Sequence, residues 1–466
     1  MLEDLRALLG PANVLQGPDV APYSVDWAGQ PHGTPVAVLR PANTTQVSAI
    51  MRAANASGTP VVPMGGNTGL TQATAPEGAW VLSLERMNKV REINVEGRIA
   101  VVESGAIIST IHDAAAEAGL IFPLYFGARG SARIGGALGT NAGGSNVLRY
   151  GNTRDLCLGL EVVLPSGEVM NLMGALHKDN AGYNLKHLLI GAEGTLGVVT
   201  AAVLKLFPAP LVHATAMAAV RSVADALRLL NALQAATGGA VEAFEYMPGA
   251  YLDAYLQRNP GTRPPFDQTH PVNILMELAS AAPRDAAPGD DGQSVLAGTL
   301  ESTLAQFFED GTIMDATIAA NDTQRVEMWA RREGAADVSQ LHSPMIHNDV
   351  AVPVHHMQEL LDRIKSILAR MDPDAIDVSV AHLGDGNLHL TCWPKSTDPS
   401  LHAEIHSEIE ATVMALGGTF SAEHGIGLEK RGSMDRYKDP IALGTMRAIK
   451  AALDPNNIMN PGKVLP

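Results

Sequence analysis

The stretch Gly127-Ala-Arg-Gly-Ser-Ala-Arg-Ile-Gly-Gly-Ala-Leu-Gly-Thr-Asn-Ala-Gly-Gly144 decides what kind of fold this chain adopts. Residues without a Cβ let backbone N–H groups come close to a ligand, and such amides form concavities that cradle an anion. Two further glycine clusters stand in the same half of the chain, Gly65-Gly66-Asn67-Thr68-Gly69 and Gly191–Gly197. One cluster alone is usually a turn or a close strand contact. Three within one region point instead to a dinucleotide pyrophosphate held by amide dipoles. The common nucleotide and hydrolase signatures are missing: no G-x-G-x-x-G follows a strand, and G-x-x-x-x-G-K-[ST], G-x-S-x-G and H-E-x-x-H do not occur.

Outward from these loops, the chain alternates strand and helix. Val36–Leu39 has the character of a short buried strand. Asn43 and Gln46 then stand three apart, as an N-cap and its N3 partner do, and Val47, Ile50, Met51 and Ala54 recur at helical spacing until Gly58. A strand at Pro60–Pro63 leads into the first glycine loop. Ile99–Val102 predicts a strand, Ile107–Ala118 a helix, Leu160–Leu164 and Glu168–Leu172 a hairpin about Pro165-Ser166-Gly167, and Gly197–Phe207 another strand. After Pro210 the texture becomes Ala-rich and predicts helix. Ser280–Gly292 has the composition of a solvated loop or insertion. Met357–Met371 is amphipathic, and Asp377–His382 and Asn387–Cys392 predict two strands about a tight turn. Domain boundaries are expected near 210 and 416.

Composition narrows the function. The chain has 466 residues, 46% of them hydrophobic and 18% charged, which suits folded domains and excludes disorder, collagen and coiled coil. A formal net charge of −16 disfavours nucleic acid phosphates and anionic membrane as partners. Amide cradles are compatible with that charge, because they need no net positive side chains. Cys157 and Cys392 are the two cysteines, too far apart in sequence to indicate a disulfide framework or a thiolate zinc site. The opening Met1-Leu2-Glu3-Asp4 is acidic where a signal peptide is basic, and Leu211–Ala240 is interrupted by His213, Arg221, Asp225 and Arg228. A cytoplasmic protein without a membrane span is expected.

Read in series, several motifs resemble the vanillyl-alcohol-oxidase type of flavoprotein. In the first half these are Gly65–Gly69, Ser131-Ala-Arg-Ile-Gly-Gly136, Thr140-Asn-Ala-Gly-Gly144, Arg149-Tyr-Gly151 and Ile190-Gly-Ala-Glu-Gly-Thr-Leu-Gly197. In the second half, His382-Leu-Gly-Asp-Gly-Asn-Leu-His389, Ser421-Ala-Glu-His-Gly-Ile-Gly427 and Leu453-Asp-Pro-Asn-Asn-Ile-Met-Asn-Pro-Gly-Lys463 are similar to the D-2-hydroxyglutarate/D-lactate dehydrogenase branch. The resemblance runs from about Tyr23 to the end. It implies an α+β fold: a two-subdomain FAD-binding domain (1–210), an α+β substrate or cap domain (211–416) and a C-terminal segment (417–466) returning to the FAD domain. Carried onto this sequence, it places FAD on Gly65, Gly66, Asn67, Thr68, Gly69, Gly130, Ser131, Gly135, Gly136, Asn141, Gly143, Gly144, Glu193, Gly194 and Asn460. Some relatives bind flavin covalently through a histidine in the first loop. Asn67 stands there in this chain, so noncovalent FAD is expected.

The second half carries a polar constellation. Hairpin pairing would bring His382 and His389 onto neighbouring sites, which fits either a packing pair or two ligands of a metal. Two histidines with one carboxylate, supplied by Glu423, form the pattern of a catalytic divalent metal. The resemblance selects the metal, of the zinc kind, on His382, His389 and Glu423. His424 is by its residue type a hydrogen-bonded core histidine or a general base, and the resemblance makes it the base. In Trp329-Ala-Arg-Arg-Glu333, Arg332 resembles the arginine that binds a substrate carboxylate with two parallel hydrogen bonds, whereas Arg331 suits a solvated helix face.

Three positions depart from the 2-hydroxyglutarate pattern. His347 stands where those enzymes have lysine, Ala336 where they have threonine, and Thr391 where asparagine is frequent. The expected activity is FAD-dependent dehydrogenation of a D-2-hydroxy acid, with D-2-hydroxyglutarate favoured over D-lactate and glycolate. The α-hydride would pass to flavin while His424 removes the hydroxyl proton, and His347 would face a second carboxylate. A small 2-hydroxy acid, an unidentified electron acceptor and a second copy of the chain in a homodimer are the expected partners. A flavoprotein acting on an alcohol or ether lipid is a second possibility, and a nonenzymatic metal-stabilised subunit a third.

Overall fold

The computed structural model describes residues 1–27, 29–289 and 292–466. The chain divides into two compact units. The first comprises Met1–Gly143, Gly151–Ala209 and Glu423–Pro466, and the second comprises Gly144–Tyr150 and Pro210–Ala422.

In the first unit, β1 (Val14–Leu15), β2 (Ala37–Leu39), β3 (Val61–Met64) and β4 (Trp80–Ser83) form a sheet of order β1-β2-β4-β3. The pairs β2/β4 and β3/β4 are parallel, as a crossover helix between strands requires. That helix is α1 (Thr44–Ser57). Asn43 accepts from the Gln46 N–H at 3.0 Å, the Gln46 side chain accepts from the Ala42 N–H at 2.7 Å, and Gly58 closes the helix at φ 66°. Val47, Ile50, Met51 and Ala54 are fully buried against Trp80 and Leu82, so the helical spacing read from the sequence is a core stripe.

A second, antiparallel sheet contains β5 (Val90–Asn94), β6 (Ile99–Glu103), β7 (Cys157–Val163), β8 (Val169–Leu172) and β9 (Val198–Lys205), in the order β5-β6-β9-β7-β8. The helices α2 (Ile108–Glu117) and α3 (Ile134–Thr140) belong to this unit, and α3 carries the central glycine stretch. The C-terminal residues complete the unit: Ile458 and Met459 are buried in the α1 core, and Met459 bridges to Val61.

The second unit is built on one sheet. Its strands are β10 (Val212–Val220), β11 (Val241–Pro248), β12 (Val272–Ser280), β13 (Ile313–Ile318), β14 (Ile346–Ala351), β15 (Val380–His382) and β16 (Asn387–Trp393). Their order is β13-β10-β12-β11-β15-β16-β14, with the short strand Ile376–Asp377 pairing with β16. The Ala-rich residues after Pro210 are therefore a central strand, and helix begins only at α4 (Val223–Thr237). Small side chains such as Ala214, Ala216 and Ala218 let helices pack closely on a strand bonded on both sides, and that burial overrides alanine's helical preference. Met357–Met371 is a helix over the residues its periodicity marks. In Ser280–Gly292, Ser280 ends β12 and Pro283–Ala286 forms a helical turn; positions 290 and 291 lie outside the described residues.

The two faces of this sheet differ. One packs against α4, α6 (Val295–Glu309), α9 (Met357–Met371) and α10 (Pro399–Ala415) in the main apolar core. The other meets α5 (Gly249–Arg258), α7 (Asp322–Glu333) and α8 (Ala335–Ser339) over a smaller cluster with Tyr251, Met328 and Trp393. The polar residues of interest stand on this second face.

Candidate active site

Each unit carries one half of the residues singled out from sequence. In the first, the glycine loops approach one another backbone to backbone. A Cβ on Gly66 would collide with the Ser131 carbonyl oxygen, and one on Gly65 would lie 3.3 Å from the Gly136 nitrogen. Gly69, Gly130, Gly136 and Gly139, by contrast, face open space. Within this packing the Ser104 hydroxyl and the Asn460 Oδ1 are buried without a hydrogen-bond partner. Close glycine backbone, open space and unsatisfied polar atoms are what an elongated phosphate-bearing cofactor needs, so these residues fit FAD.

The supporting contacts are specific. Asn67 adopts φ 54°, donates to the Val25 carbonyl at 2.8 Å and accepts from the Thr74 hydroxyl at 2.7 Å. Asn141 caps α3 at φ 53° and accepts from the Arg154 N–H at 2.9 Å. The Asn460 amide donates to the carbonyls of Ala73 and Glu193, at 2.9 and 2.8 Å. Thr68, Ser131, Gly135, Gly143 and Gly194 belong to this unit too, whereas Gly144 opens the short segment assigned to the second.

Glu423 and His424 also lie in the first unit, with His424 Nε2 3.8 Å from Glu423 Oε1. The Thr71 hydroxyl donates to the His424 carbonyl at 3.3 Å. Residues 417–422 stay with the second unit because Thr419 bridges to Ala351 and the Ala422 N–H donates to Asp349 at 3.1 Å.

In the second unit the strand register does the assembling. Residues directly opposite in an antiparallel pair share a face. Glu245 stands opposite His382, His382 opposite Asn387, His389 opposite Asp349, and His347 opposite Thr391. The rings of His382 and His389 are 5.2 Å apart between centroids, so the hairpin does bring the two imidazoles together. Arg332, in the last turn of α7, reaches this face and is only 8% exposed.

Glu245 ties these groups together. One carboxylate oxygen accepts from Arg332 Nε at 2.7 Å, and the other lies 2.9 Å from His382 Nδ1. Burial pushes the Glu245 carboxyl up, but His382 and Arg332 more than offset this and hold it below its ordinary range. Arg332 Nη2 lies 3.4 Å from His382 Nε2. On β14, which pairs with the His389 strand β16, buried Asp349 accepts from the Asn387 side chain at 3.0 Å and lies 3.6 Å from His389 Nδ1. His382 thus has a carboxylate within hydrogen-bond reach of Nδ1, the arrangement that fixes ring orientation in metal ligands, and His389 has one within ion-pair distance. Asp349 and His389 belong to a group of imidazole and carboxylate side chains close enough together to hold a metal ion, whereas His382, with Glu245 on Nδ1 and Arg332 beside Nε2, does not.

The sequence missed Glu245 altogether, because its strand lay in a stretch expected to be helical. Asp349, two residues after His347, was given no role; its signal was an acid on a strand pairing with a histidine strand. Arg331 corrects an expectation. It is 5% exposed and donates to the carbonyls of Glu327 and Arg263, so it is no solvated residue. His347 is exposed, with Nδ1 3.2 Å from the Thr391 hydroxyl.

With this geometry in place, comparison with known proteins decides the family. Residues 209–464 match the family described as FAD linked oxidases, C-terminal domain, and residues 35–173 match the FAD binding domain. The chain belongs to the FAD-linked oxidases. It is 36% identical over 452 residues to a D-2-hydroxyglutarate dehydrogenase of Xanthomonas citri pv. viticola, covering 96% of this chain and 92% of the relative. The mitochondrial D-2-hydroxyglutarate dehydrogenase of Bos taurus is 34% identical, covering 100% and 84%. That of Stutzerimonas stutzeri is 34% identical, covering 100% and 98%. Among solved structures, p-cresol methylhydroxylase has a TM-score of 0.74 at 17% identity, covering 99% of this chain and 95% of that one. Alkyldihydroxyacetonephosphate synthase has a TM-score of 0.73 at 17% identity, covering 99% and 84%. This FAD-linked oxidase therefore has the vanillyl-alcohol-oxidase fold and is an FAD-dependent dehydrogenase. Among its described residues, no helix is long and apolar enough to cross a membrane.

Proposed function

We propose that the protein oxidises a D-2-hydroxy acid, D-2-hydroxyglutarate in preference to D-lactate or glycolate, to the 2-oxo acid. The observation that carries this is the buried Arg332–Glu245–His382 assembly, set in a chain whose relatives are named D-2-hydroxyglutarate dehydrogenases. The glycine loops of the first unit would hold FAD noncovalently, and its ring would supply the hydride acceptor. His382, His389 and Glu423 would hold a divalent metal of the zinc kind, which would supply Lewis acidity toward the substrate hydroxyl.

The rest falls to this chain's side chains. Arg332 binds the substrate carboxylate through its guanidinium, and Glu245, bonded to Nε, fixes the plane of that fork. His424 takes the hydroxyl proton on its imidazole, a group whose ordinary pKa suits proton transfer near neutral pH. His347 meets the distal carboxylate of the diacid and draws on Thr391 for its ring orientation. Asn67 has no imidazole with which to bond the flavin, and its amide is engaged by Val25 and Thr74, which supports noncovalent binding.

The test is anaerobic addition of each acid to the yellow protein, with bleaching of the flavin as the readout. D-2-Hydroxyglutarate should bleach it fastest, and His347→Lys should hold or raise affinity for the diacid relative to lactate. Absence of bleaching by any D-2-hydroxy acid would remove this function, and a shift toward lactate would remove His347 from the distal carboxylate.

A further inference from the structure

We propose that Glu193 is a positioning residue: its carboxylate seats the loop carrying His424 on the same glycine scaffold that holds the cofactor. This rests on the role of His424 stated above. Sequence resemblance had placed Glu193 among cofactor contacts, but its side chain is committed elsewhere. One carboxylate oxygen accepts from the Ile426 N–H and the other from the Gly427 N–H, each at 2.8 Å. Two successive amides converging on one carboxylate make an anion nest whose occupant is part of the chain. Glu193 is 8% exposed, so these bonds lie in a low-dielectric setting where charge-assisted pairs are strong.

Glu193 is itself held by the glycine loops. Its φ of 49° is left-handed, which costs energy for a residue of this size and persists only when surroundings enforce it. Its N–H donates to the Gly139 carbonyl at 2.8 Å, on α3, and its carbonyl accepts from Asn460 at 2.8 Å. On the other side, the Thr71 carbonyl accepts from the Leu428 N–H at 2.9 Å, and its hydroxyl holds the His424 carbonyl. Thr71 lies two residues beyond Gly69, the end of the first glycine loop. The His424 loop is thus clasped between the two segments proposed to bind flavin. The loop needs Gly425 for this, since φ is 81° and a Cβ would stand 2.8 Å from a Glu193 oxygen.

Hydrogen exchange at Ile426 and Gly427 tests the seat directly, in protein with and without FAD. Glu193→Gln keeps the shape but turns one acceptor into a donor facing an N–H. Exchange at the two amides should quicken roughly tenfold or more. FAD content and the flavin spectrum should match wild type. Flavin reduction should slow by about 10²-fold, the usual effect of a misplaced catalytic group, with KM within about twofold. If Glu193→Gln does not fold, Gly425→Ala pushes the loop off the same carboxylate from the other side and should quicken the same amides. Unchanged exchange would overturn the seat. Faster exchange with wild-type reduction would overturn its positioning role, and loss of FAD in step with rate would make Glu193 a cofactor ligand instead. His424→Ala at the wild-type reduction rate removes the base without touching the exchange result, so the two ideas fail separately.

Discussion

A single buried carboxylate, Glu245, orients both a guanidinium and an imidazole, and this division of one side chain between two partners governs what its loss would do. It is 1% exposed, and so is Asp349 on the nearby strand β14. Removing one member of a buried pair leaves the other charge without compensation, which costs about 3–5 kcal/mol. Glu245→Ala should therefore lower stability by about that amount in chemical denaturation, because the Arg332 guanidinium stays buried beside His382. A loss under about 1 kcal/mol would mean that water reaches the pair. At His424 the expectation is kinetic: His424→Ala should retain FAD and fold normally, yet slow flavin reduction by roughly 10²–10⁴-fold. Rapid-mixing absorbance of the flavin band measures this, and reduction at the wild-type rate would exclude the imidazole from proton transfer.

Elements carry the next level of explanation. The glycine loops work because chain meets chain where a side chain would stand. Gly66→Ala should force Ser131 and its neighbours away from the first loop and cost the protein its flavin while far-ultraviolet circular dichroism stays unchanged. Purification in yellow form with full FAD content would show that the loops can part without harm. In the second unit the alternation of strands β14, β15 and β16 puts every polar candidate on one face and Leu388, Leu390, Ile346 and Val350 on the other. A one-residue slip would exchange the two sets, so the apolar core that fixes the register also fixes the site.

At the scale of the whole molecule, buried ion pairs make stability depend on pH. Burial raises the Glu277 carboxyl, but Arg325, bonded to both its oxygens at 2.6 Å, together with Thr215 and Trp329, holds it below the ordinary carboxylate range. A carboxyl depressed in the folded state stabilises the protein above its unfolded pKa of about 4.3. That contribution fades as pH falls through the lower folded value. Thermal melts should accordingly decline from about pH 5 downward, and Glu277→Gln should flatten that decline while lowering stability at neutral pH. An acid limb identical in both proteins would show that other carboxylates dominate.

Local pattern in the sequence settled whatever depends on neighbours along the chain. Asn43 and Gln46 cap α1, Gly58 ends it, and Met357–Met371 is a helix, because capping and 3.6-residue periodicity act within a few residues. The glycine clusters and the two hairpin histidines were legible for the same reason: their chemistry is written in short motifs. Burial by distant segments lies outside such patterns. Val212–Val220 is a strand despite its alanines, since neighbours on both sides and helices above supply the energy. Arg331 is buried, and Glu245 meets Arg332 across 87 positions of chain, only because a helix is laid over a sheet. Glu193 likewise meets the amides after His424 across more than 200 positions, a contact that no spacing could announce. Sequence thus determined the kinds of groups available, and tertiary packing decided which of them share one low-dielectric site, because long-range burial sets both their distance and their charge state.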